Sequence, residues 1–175
     1  YELNFSNEGG VNGKFCLQKN ITGLWILEQY KQSERKLIDY NYERLIGKAL
    51  NAAGFISTID PCDPHFLNPA NMGNAIKNYL ADTDQTIPDS PSHIVRLILE
   101  SLAFKYRQTL DQLREIYPDR IERIHIIGGG AQNYLLNQFT ANASGLNVIA
   151  GPYEGTAIGN IIVQAISDRS VQDIN

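Results

Sequence analysis

A short apolar run that ends in three consecutive glycines constrains this chain more than any other stretch. Residues 124–127 (Ile-His-Ile-Ile) fit a short buried strand, and Gly128, Gly129 and Gly130 end it. Residues 133–143 then repeat apolar side chains at helical spacing. Glycines leave the backbone open to a ligand, and the first amides of the next helix have no intrahelical acceptor. The stretch therefore predicts an anion- or nucleotide-binding turn, or else a tight turn that binds nothing.

Composition and charge narrow the classes of function. The 175 residues, 43% of them hydrophobic, suffice for one domain or for part of a larger one. A net charge of −4 argues against nucleic-acid binding and against binding to a membrane surface. Cys16 and Cys62 lie far apart, so they predict neither a disulfide framework nor a zinc site and fit a reducing cytoplasm. No apolar run approaches the ~18 residues of a membrane span.

Apolar spacing and turn residues predict the remaining elements. We expect a polar loop over residues 7–13 and an extended segment over residues 14–19. Four helices should follow, at residues 20–27 with Asn20 as the cap, and at residues 42–53, 68–83 and 92–117. Beyond the glycines, the chain reads helix, strand and helix, the last two over residues 146–150 and 154–166. Two apolar strands joined by a helix predict a parallel crossover and an α/β fold.

Two polar pairs on the predicted helices have two interpretations each. Asn20 and Glu28 are eight residues apart, a little over two helical turns, so both side chains can face one side. An amide and a carboxylate there could bind the hydroxyls of a sugar or a ribose, or they could be a helix cap and a solvated surface acid. Glu100 and Ser101, in the middle of the longest helix, indicate either the close approach of another backbone or ordinary surface.

Several familiar sites do not fit the sequence. A dinucleotide fingerprint needs a third glycine where Asn133 stands, and an acid after the second strand, where the chain reads Ala150-Gly151. A Walker phosphate loop needs a lysine after its glycines, and none follows here. No Ser/His/Asp set is evident, and we interpret three histidines as structural or exposed: His65, His93 and His125.

A series of motifs in fixed order resembles the C-terminal half of rhamnulokinases, which are sugar kinases of the FGGY family. The resemblance covers nearly the whole chain. The motifs are Asn7-Glu8-Gly9-Gly10, Lys19-Asn20-Ile21-Thr22-Gly23-Leu24-Trp25, Glu100-Ser101-Leu102-Ala103, His125-Ile126-Ile127-Gly128-Gly129-Gly130-Ala131-Gln132-Asn133, Leu135-Leu136-Asn137-Gln138 and Ala150-Gly151-Pro152-Tyr153-Glu154-Gly155-Thr156-Ala157-Ile158-Gly159-Asn160.

The resemblance implies a fold and an activity. The fold would be the latter part of an actin-like, ribonuclease-H-like ATPase domain over residues 1–175. The activity would be phosphorylation of the ketose L-rhamnulose by ATP, with Mg²⁺, to L-rhamnulose 1-phosphate and ADP. In this family the catalytic Asp lies in an upstream motif, and the chain starts with Tyr1-Glu2-Leu3-Asn4 rather than with Met or a signal peptide. We therefore expect an incomplete C-terminal domain that is inactive alone, has no catalytic or metal-binding residue of its own and partners an N-terminal kinase domain.

The resemblance also implies site residues. It assigns a substrate contact to Asn20 and cofactor contacts to Gly128, Gly129, Gly130 and Asn133. The family's nucleotide-binding Gln is Glu28 here, and an anion near phosphates is unfavourable, so Glu28 either faces the ribose hydroxyls or points away. The alternatives are another FGGY kinase, for xylulose or fuculose, and a non-catalytic actin-like nucleotide-binding module. In each case we expect a cytoplasmic protein without nucleic-acid or membrane partners.

Overall fold

Several of the helices pack against one long helix in the middle of the chain. A computed structural model describes residues 2–10 and 13–171. Two 3-10 turns, Pro64–Phe66 and Gly129–Gln132, interrupt the loops. The strands and helices are, in chain order, β1 (Ser6–Gly9), β2 (Phe15–Gln18), α1 (Trp25–Ser33), α2 (Tyr42–Leu50), α3 (Met72–Asp82), α4 (Pro91–Ile116), β3 (Arg123–Ile126), α5 (Tyr134–Ser144), β4 (Asn147–Ala150) and α6 (Gly155–Ser167).

Local signals define the long helix α4. Ser90 caps its start, with the Oγ atom accepting from the amide of His93, and Pro91 occupies the first helical position. The helix ends at Ile116, ahead of Pro118. Its buried side chains run from Ile94 to Leu110 and contact α1, α2 and α5, while α3 packs on α1. The core therefore lies between helices.

A buried polar pair on α4 holds the segment that follows α2. Glu100 and Ser101 are 3% and 1% exposed. The Phe55 amide donates to Glu100 Oε2 at 2.8 Å, and the Ile59 amide donates to Ser101 Oγ at 3.0 Å. This confirms the interpretation of the pair as a place where another backbone comes close.

Arg96 completes this cluster. Its Nε atom donates to Glu100 Oε1 at 2.7 Å. Its Nη1 atom donates to the carbonyl oxygens of Leu50 and Ala52 at 3.0 and 2.9 Å, where the carbonyls at the end of α2 lack helical partners. One ion pair thus joins α2, α4 and the segment between α2 and α3.

Two small sheets flank the helices. β1 and β2 pair antiparallel, with Ser6 opposite Gln18 and Gly9 opposite Phe15. β3 and β4 pair parallel, from Arg123 with Asn147 to Ile126 with Ala150, and α5 connects them. The predicted parallel crossover is confirmed, but the prediction of a buried strand over residues 124–127 is wrong, because β3 is Arg123–Ile126 without a buried residue and Ile127 is 59% exposed. No helix in residues 2–10 and 13–171 is long and apolar enough to cross a membrane.

The structure corrects several predicted boundaries. Asn20 does not cap a helix: it is exposed, and α1 begins only at Trp25, after a turn in which the Ile26 amide donates to the Gly23 carbonyl. Asn20 and Glu28 therefore do not share a helix face. Helix α2 ends at Leu50 rather than at residue 53. Helix α3 begins at Met72, because Asn71 and not Asn68 provides its cap.

The predicted loop at residues 7–13 is also partly wrong. Residues 7–9 belong to strand β1, whereas Gly13 has a φ of +70° in the turn before β2. Val11 and Asn12, the middle of that predicted loop, lie outside the described residues, as does Tyr1.

Replacing Gly54 should disturb the polar cluster. A Cβ at this position would lie 2.7 Å from both Arg96 Nη2 and Glu100 Oε1. We expect Gly54→Ala to lower the free energy of unfolding by about 1–3 kcal/mol, because the overpacking displaces a buried ion pair. The midpoint of thermal unfolding of the protein measures the change.

Gly47→Ala is the matched control. Gly47 lies inside α2, where an added Cβ would meet nothing within 4 Å. Since alanine is the better helix former, this substitution should raise stability by up to about 1 kcal/mol. Equal effects from the two substitutions would contradict a tight approach at Gly54.

Candidate functional site

The glycine turn lies where the two parallel strands end. Gly128 has φ +77° and ψ −162°, a conformation that is essentially restricted to glycine. Its amide donates to the Pro152 carbonyl at 3.2 Å, and the Gly151 amide donates to the Ile126 carbonyl at 2.7 Å. These bonds tie the carboxyl ends of β3 and β4 together. Ligands of α/β proteins commonly bind at this edge of a parallel sheet.

The next two glycines present open backbone. A Cβ on Gly129 would meet its nearest atom, Tyr153 Cε2, at 3.8 Å, and one on Gly130 would meet Ile126 Cγ2 at 3.7 Å. Both are ordinary van der Waals contacts, so the fold itself does not require glycine at these two positions. Among the described residues, the amides of Gly129 and Gly130 have no acceptor. The turn can therefore offer two amide donors to an anionic or polar ligand lying on it.

Asn133 has a structural task. Its side chain is 1% exposed, and its Oδ1 atom accepts from the Leu136 amide at 3.0 Å, which caps α5. Its Nδ2 atom has no partner among the described residues. A second amide, Asn137 Nδ2, donates to the Ala131 carbonyl at 2.9 Å and fixes the turn to the helix. Asn133 thus positions the turn, and its contact with a ligand stays a prediction.

Glu28 and Asn133 come together around a third residue, Tyr42. Burial raises the pKa of the Tyr42 phenol, the Asn133 amide opposes this rise, and the charge of Glu28 adds to it. Glu28 itself is exposed and accepts from Gln32 Nε2 at 3.1 Å. Glu28 on α1, Tyr42 at the start of α2 and Asn133 before α5 are therefore near one another.

An apolar groove of about 630 Å³ is lined by residues next to Asn20 and by residues of the glycine turn. Ile21 and Leu24 line one side of it, and Ile126 and Gly130 line another. Asn20 is exposed in the segment that leads into Ile21. The structure thus brings this segment to the groove that reaches Gly130, although Asn20 and Glu28 do not form the joint helical face that their spacing predicted.

Two of the three histidines pair with a neighbouring aspartate, and the third lines the groove beside Gly130. His65 Nδ1 is 2.5 Å from Asp63 Oδ1 in the loop after α2, and His93 Nδ1 is 2.8 Å from Asp89 Oδ1 at the start of α4. The hydrogen bonds from His65 lower the pKa of Asp63. His125 lies on β3.

Sequence reasoning missed two tyrosines of this region. Tyr153 is 55% exposed and its ring lies against the glycine turn, while the Tyr42 phenol is near Asn133 at the start of α5. Each follows a recognisable turn or cap signal, Gly151-Pro152 and Asn41. The position of an aromatic residue directly after such a signal could have indicated that these two tyrosines belong to the site.

Comparisons with known proteins give consistent matches. The model of the FGGY family of carbohydrate kinases, C-terminal domain, matches residues 2–167. A rhamnulokinase from Bacteroides thetaiotaomicron is 49% identical over 172 residues, which are 98% of this chain and 35% of that protein. A rhamnulokinase from Bacillus subtilis is 40% identical over 173 residues, 99% of this chain and 35% of that protein.

The chain thus spans about a third of the length of the curated relatives it matches. Among solved structures, an activator of the 2-hydroxyisocaproyl-CoA dehydratase from Clostridium difficile with bound ADPNP aligns with a TM-score of 0.49 and 16% identity. That alignment covers 93% of this chain and 56% of the other.

The glycines of the turn should differ in their effect on stability. We expect Gly128→Ala to lower the free energy of unfolding by about 1–3 kcal/mol, because a side chain at φ +77° is strained. Gly129→Ala should change it by no more than about 0.5 kcal/mol, since its Cβ meets only an ordinary contact. Thermal unfolding without ligand compares the two variants, and a larger loss at Gly129 would contradict this assignment.

Proposed function

The chain belongs to the FGGY family of carbohydrate kinases, and we propose that it forms the nucleotide-binding part of an ATP-dependent sugar kinase. The observation that carries this proposal is the open backbone of Gly129 and Gly130 at the carboxyl ends of two parallel strands. Two amides without protein acceptors and no obstructing Cβ suit the adenosine side of ATP or its α-phosphate.

The proposed reaction is the transfer of the γ-phosphoryl group of ATP to L-rhamnulose, which gives L-rhamnulose 1-phosphate and ADP. Support comes from several relatives named rhamnulokinase, at 39–49% identity over 98–99% of this chain. We assign the sugar side of the site to Asn20 and the nucleotide side to Gly128, Gly129 and Gly130, with Asn133 as the residue that holds the turn. Glu28 is placed at the ribose hydroxyls or directed to solvent.

Mg²⁺ would be supplied together with ATP and would neutralise phosphate charge. Within residues 2–10 and 13–171 there is no group of three or more His, Cys, Asp or Glu side chains that could hold a metal ion. From the resemblance to FGGY kinases, we propose that the catalytic base and the metal ligands belong to the rest of the kinase.

The partner of this chain would be the remaining length of the same polypeptide. Helix α6 has no buried residue, and Ile158, Ile161 and Val163 on it are 44%, 65% and 41% exposed. β3 and β4 form only a two-stranded parallel sheet, a unit that normally has both faces covered. We propose that the N-terminal kinase domain covers these surfaces. A cytoplasmic location fits the two free cysteines and the supply of ATP.

An ADP-release assay of the complete kinase across several ketoses tests the reaction. Activity with L-rhamnulose well above that with xylulose or fuculose supports the proposal. A preference for another ketose would support the sugar-kinase assignment and change the proposed substrate. ATP binding without turnover on any ketose would favour a non-catalytic nucleotide-binding module.

Gly129→Ala tests the nucleotide turn. In the complete kinase we expect the KM for ATP to rise at least about tenfold, which corresponds to roughly 1.4 kcal/mol, because the new Cβ enters the space of the ligand. The KM for the sugar should change little. Unchanged ATP kinetics in a folded variant would mean that the glycine run is a turn without a ligand.

Glu28→Gln tests the acid near the proposed site. If the carboxylate makes no essential contact, removing its charge should leave the KM for ATP unchanged or lower it, because an anion near the triphosphate is unfavourable. Steady-state kinetics at fixed saturating sugar provide the measurement. A clear rise in the KM for ATP would identify the carboxylate itself as the contact.

A further inference from the structure

A second recess lies at the other end of α5, away from the glycine turn. Its volume is about 260 Å³, and the rings of Phe55, Phe104 and Phe139 line it together with Ala103 and Ala143. At 1.5 Å per helical residue, Phe139 is about 8 Å and Ala143 about 14 Å from the start of α5. The recess is therefore distinct from the proposed nucleotide site.

One residue that lines this recess, Phe55, has a strained backbone conformation. Phe55 has a φ of +57°, which is rare for a bulky side chain, and its ring is 71% exposed. The hydrogen bond from the Phe55 amide to the buried Glu100 carboxylate stabilises this backbone conformation. Phe104, whose ring centroid lies 6.1 Å away, is 43% exposed. Strain that holds an aromatic ring in solvent is typical of ligand-binding positions.

The polar atoms at the edge of the recess are donors. Both oxygens of Glu100 are occupied, by the Phe55 amide and by Arg96 Nε. Arg96 Nη2 has no acceptor among the described residues, and its guanidinium carbon lies 5.2 Å from the centre of the Phe139 ring. Asn142 Oδ1 already accepts from Gln138 Nε2, which leaves the Asn142 NH₂ group as a donor. A ligand here has to supply acceptor atoms.

We propose that this recess binds a small planar aromatic molecule that carries a carboxylate or carbonyl oxygen. Its ring packs against the exposed sides of Phe55 and Phe104, whose ring centroids are 6.1 Å apart, and beside Phe139. Its oxygen accepts from Arg96 Nη2 and the Asn142 amide. The site is additional to the proposed kinase function and does not depend on it.

Saturation-transfer NMR on the complete protein tests the site, with benzoate as the probe. We expect binding with a Kd of about 1 mM, the affinity range of a ligand of this size. Benzylamine, which has the same ring but a cationic donor, should bind at least tenfold more weakly. Absence of a benzoate signal, or equal binding of the two probes, would overturn the proposal.

Phe55→Asn separates a ligand-binding role from a structural one. Asparagine tolerates positive φ better than phenylalanine, so the melting temperature should stay the same or rise. Benzoate binding should weaken at least tenfold because one wall is gone. Phe104→Ala, a second exposed position, should weaken binding in the same way, and Tyr117→Ala, an exposed aromatic at the end of the same helix α4, is the control that should not.

Two outcomes contradict the proposal on these variants. A marked fall in melting temperature for Phe55→Asn, with benzoate affinity retained in the folded protein, would make Phe55 a packing residue. A change in sedimentation coefficient for Phe55→Asn without any benzoate binding to the unsubstituted protein would make the recess an interface with another polypeptide.

Discussion

The ion pair between Arg96 and Glu100 is the interaction on which the arrangement of the helices depends. A carboxylate that is 3% exposed is stable as an anion only while its partners stay in place. Those partners are Arg96 and the backbone of the segment after α2, and Arg96 also binds the carbonyls at the end of α2 and stacks on Phe139 of α5. The pair therefore couples three helices and one loop, so that none can move without exposing a buried charge.

Helix α5 connects the helical core to the glycine turn and fixes the position of the turn. Asn133 caps its first turn, and at its other end Arg107 Nη1 donates to the Ala143 carbonyl at 2.8 Å. Gly145 then ends the helix with φ +68°, where an L side chain would be strained. Because Leu135 and Leu136 at the start of α5 are buried in the core and Arg107 of α4 holds its other end, the open amides before it have a defined position. Such preorganisation reduces the entropy that a ligand has to overcome on binding.

Local signals in the sequence predicted the elements that depend on local physics. The helices predicted at residues 92–117 and 133–143 correspond to α4 and α5, although the Ser90 cap and Pro91 start α4 one residue earlier than predicted. The α/β class and membership in a family of the ribonuclease-H-like superfamily are confirmed. Strand β1 was missed because Asn-Glu-Gly has little strand propensity, and pairing with β2 decides its conformation.

The spacing of residues in the sequence could not predict contacts between distant parts of the chain. Asn20 has the chemistry of a helix cap, but the turn at Gly23 delays the helix to Trp25. The tyrosines at 42 and 153 and the burial of Asn133 follow from packing between elements. Assignments of ligand contacts to Asn20, Glu28 and the glycines remain predictions for the same reason.

The unequal demands on the three glycines bear on how such domains diverge. The backbone conformation requires glycine at position 128 whether or not the domain binds a ligand. Gly129 and Gly130, in contrast, have room for a methyl group in the folded chain. In a gene copy released from selection for ligand binding, substitutions would accumulate first at 129 and 130 while 128 persisted. A homologous domain that has lost the glycines at 129 and 130 but kept the one at 128 would have kept the fold and lost ligand binding. A domain that has lost all three would have lost both.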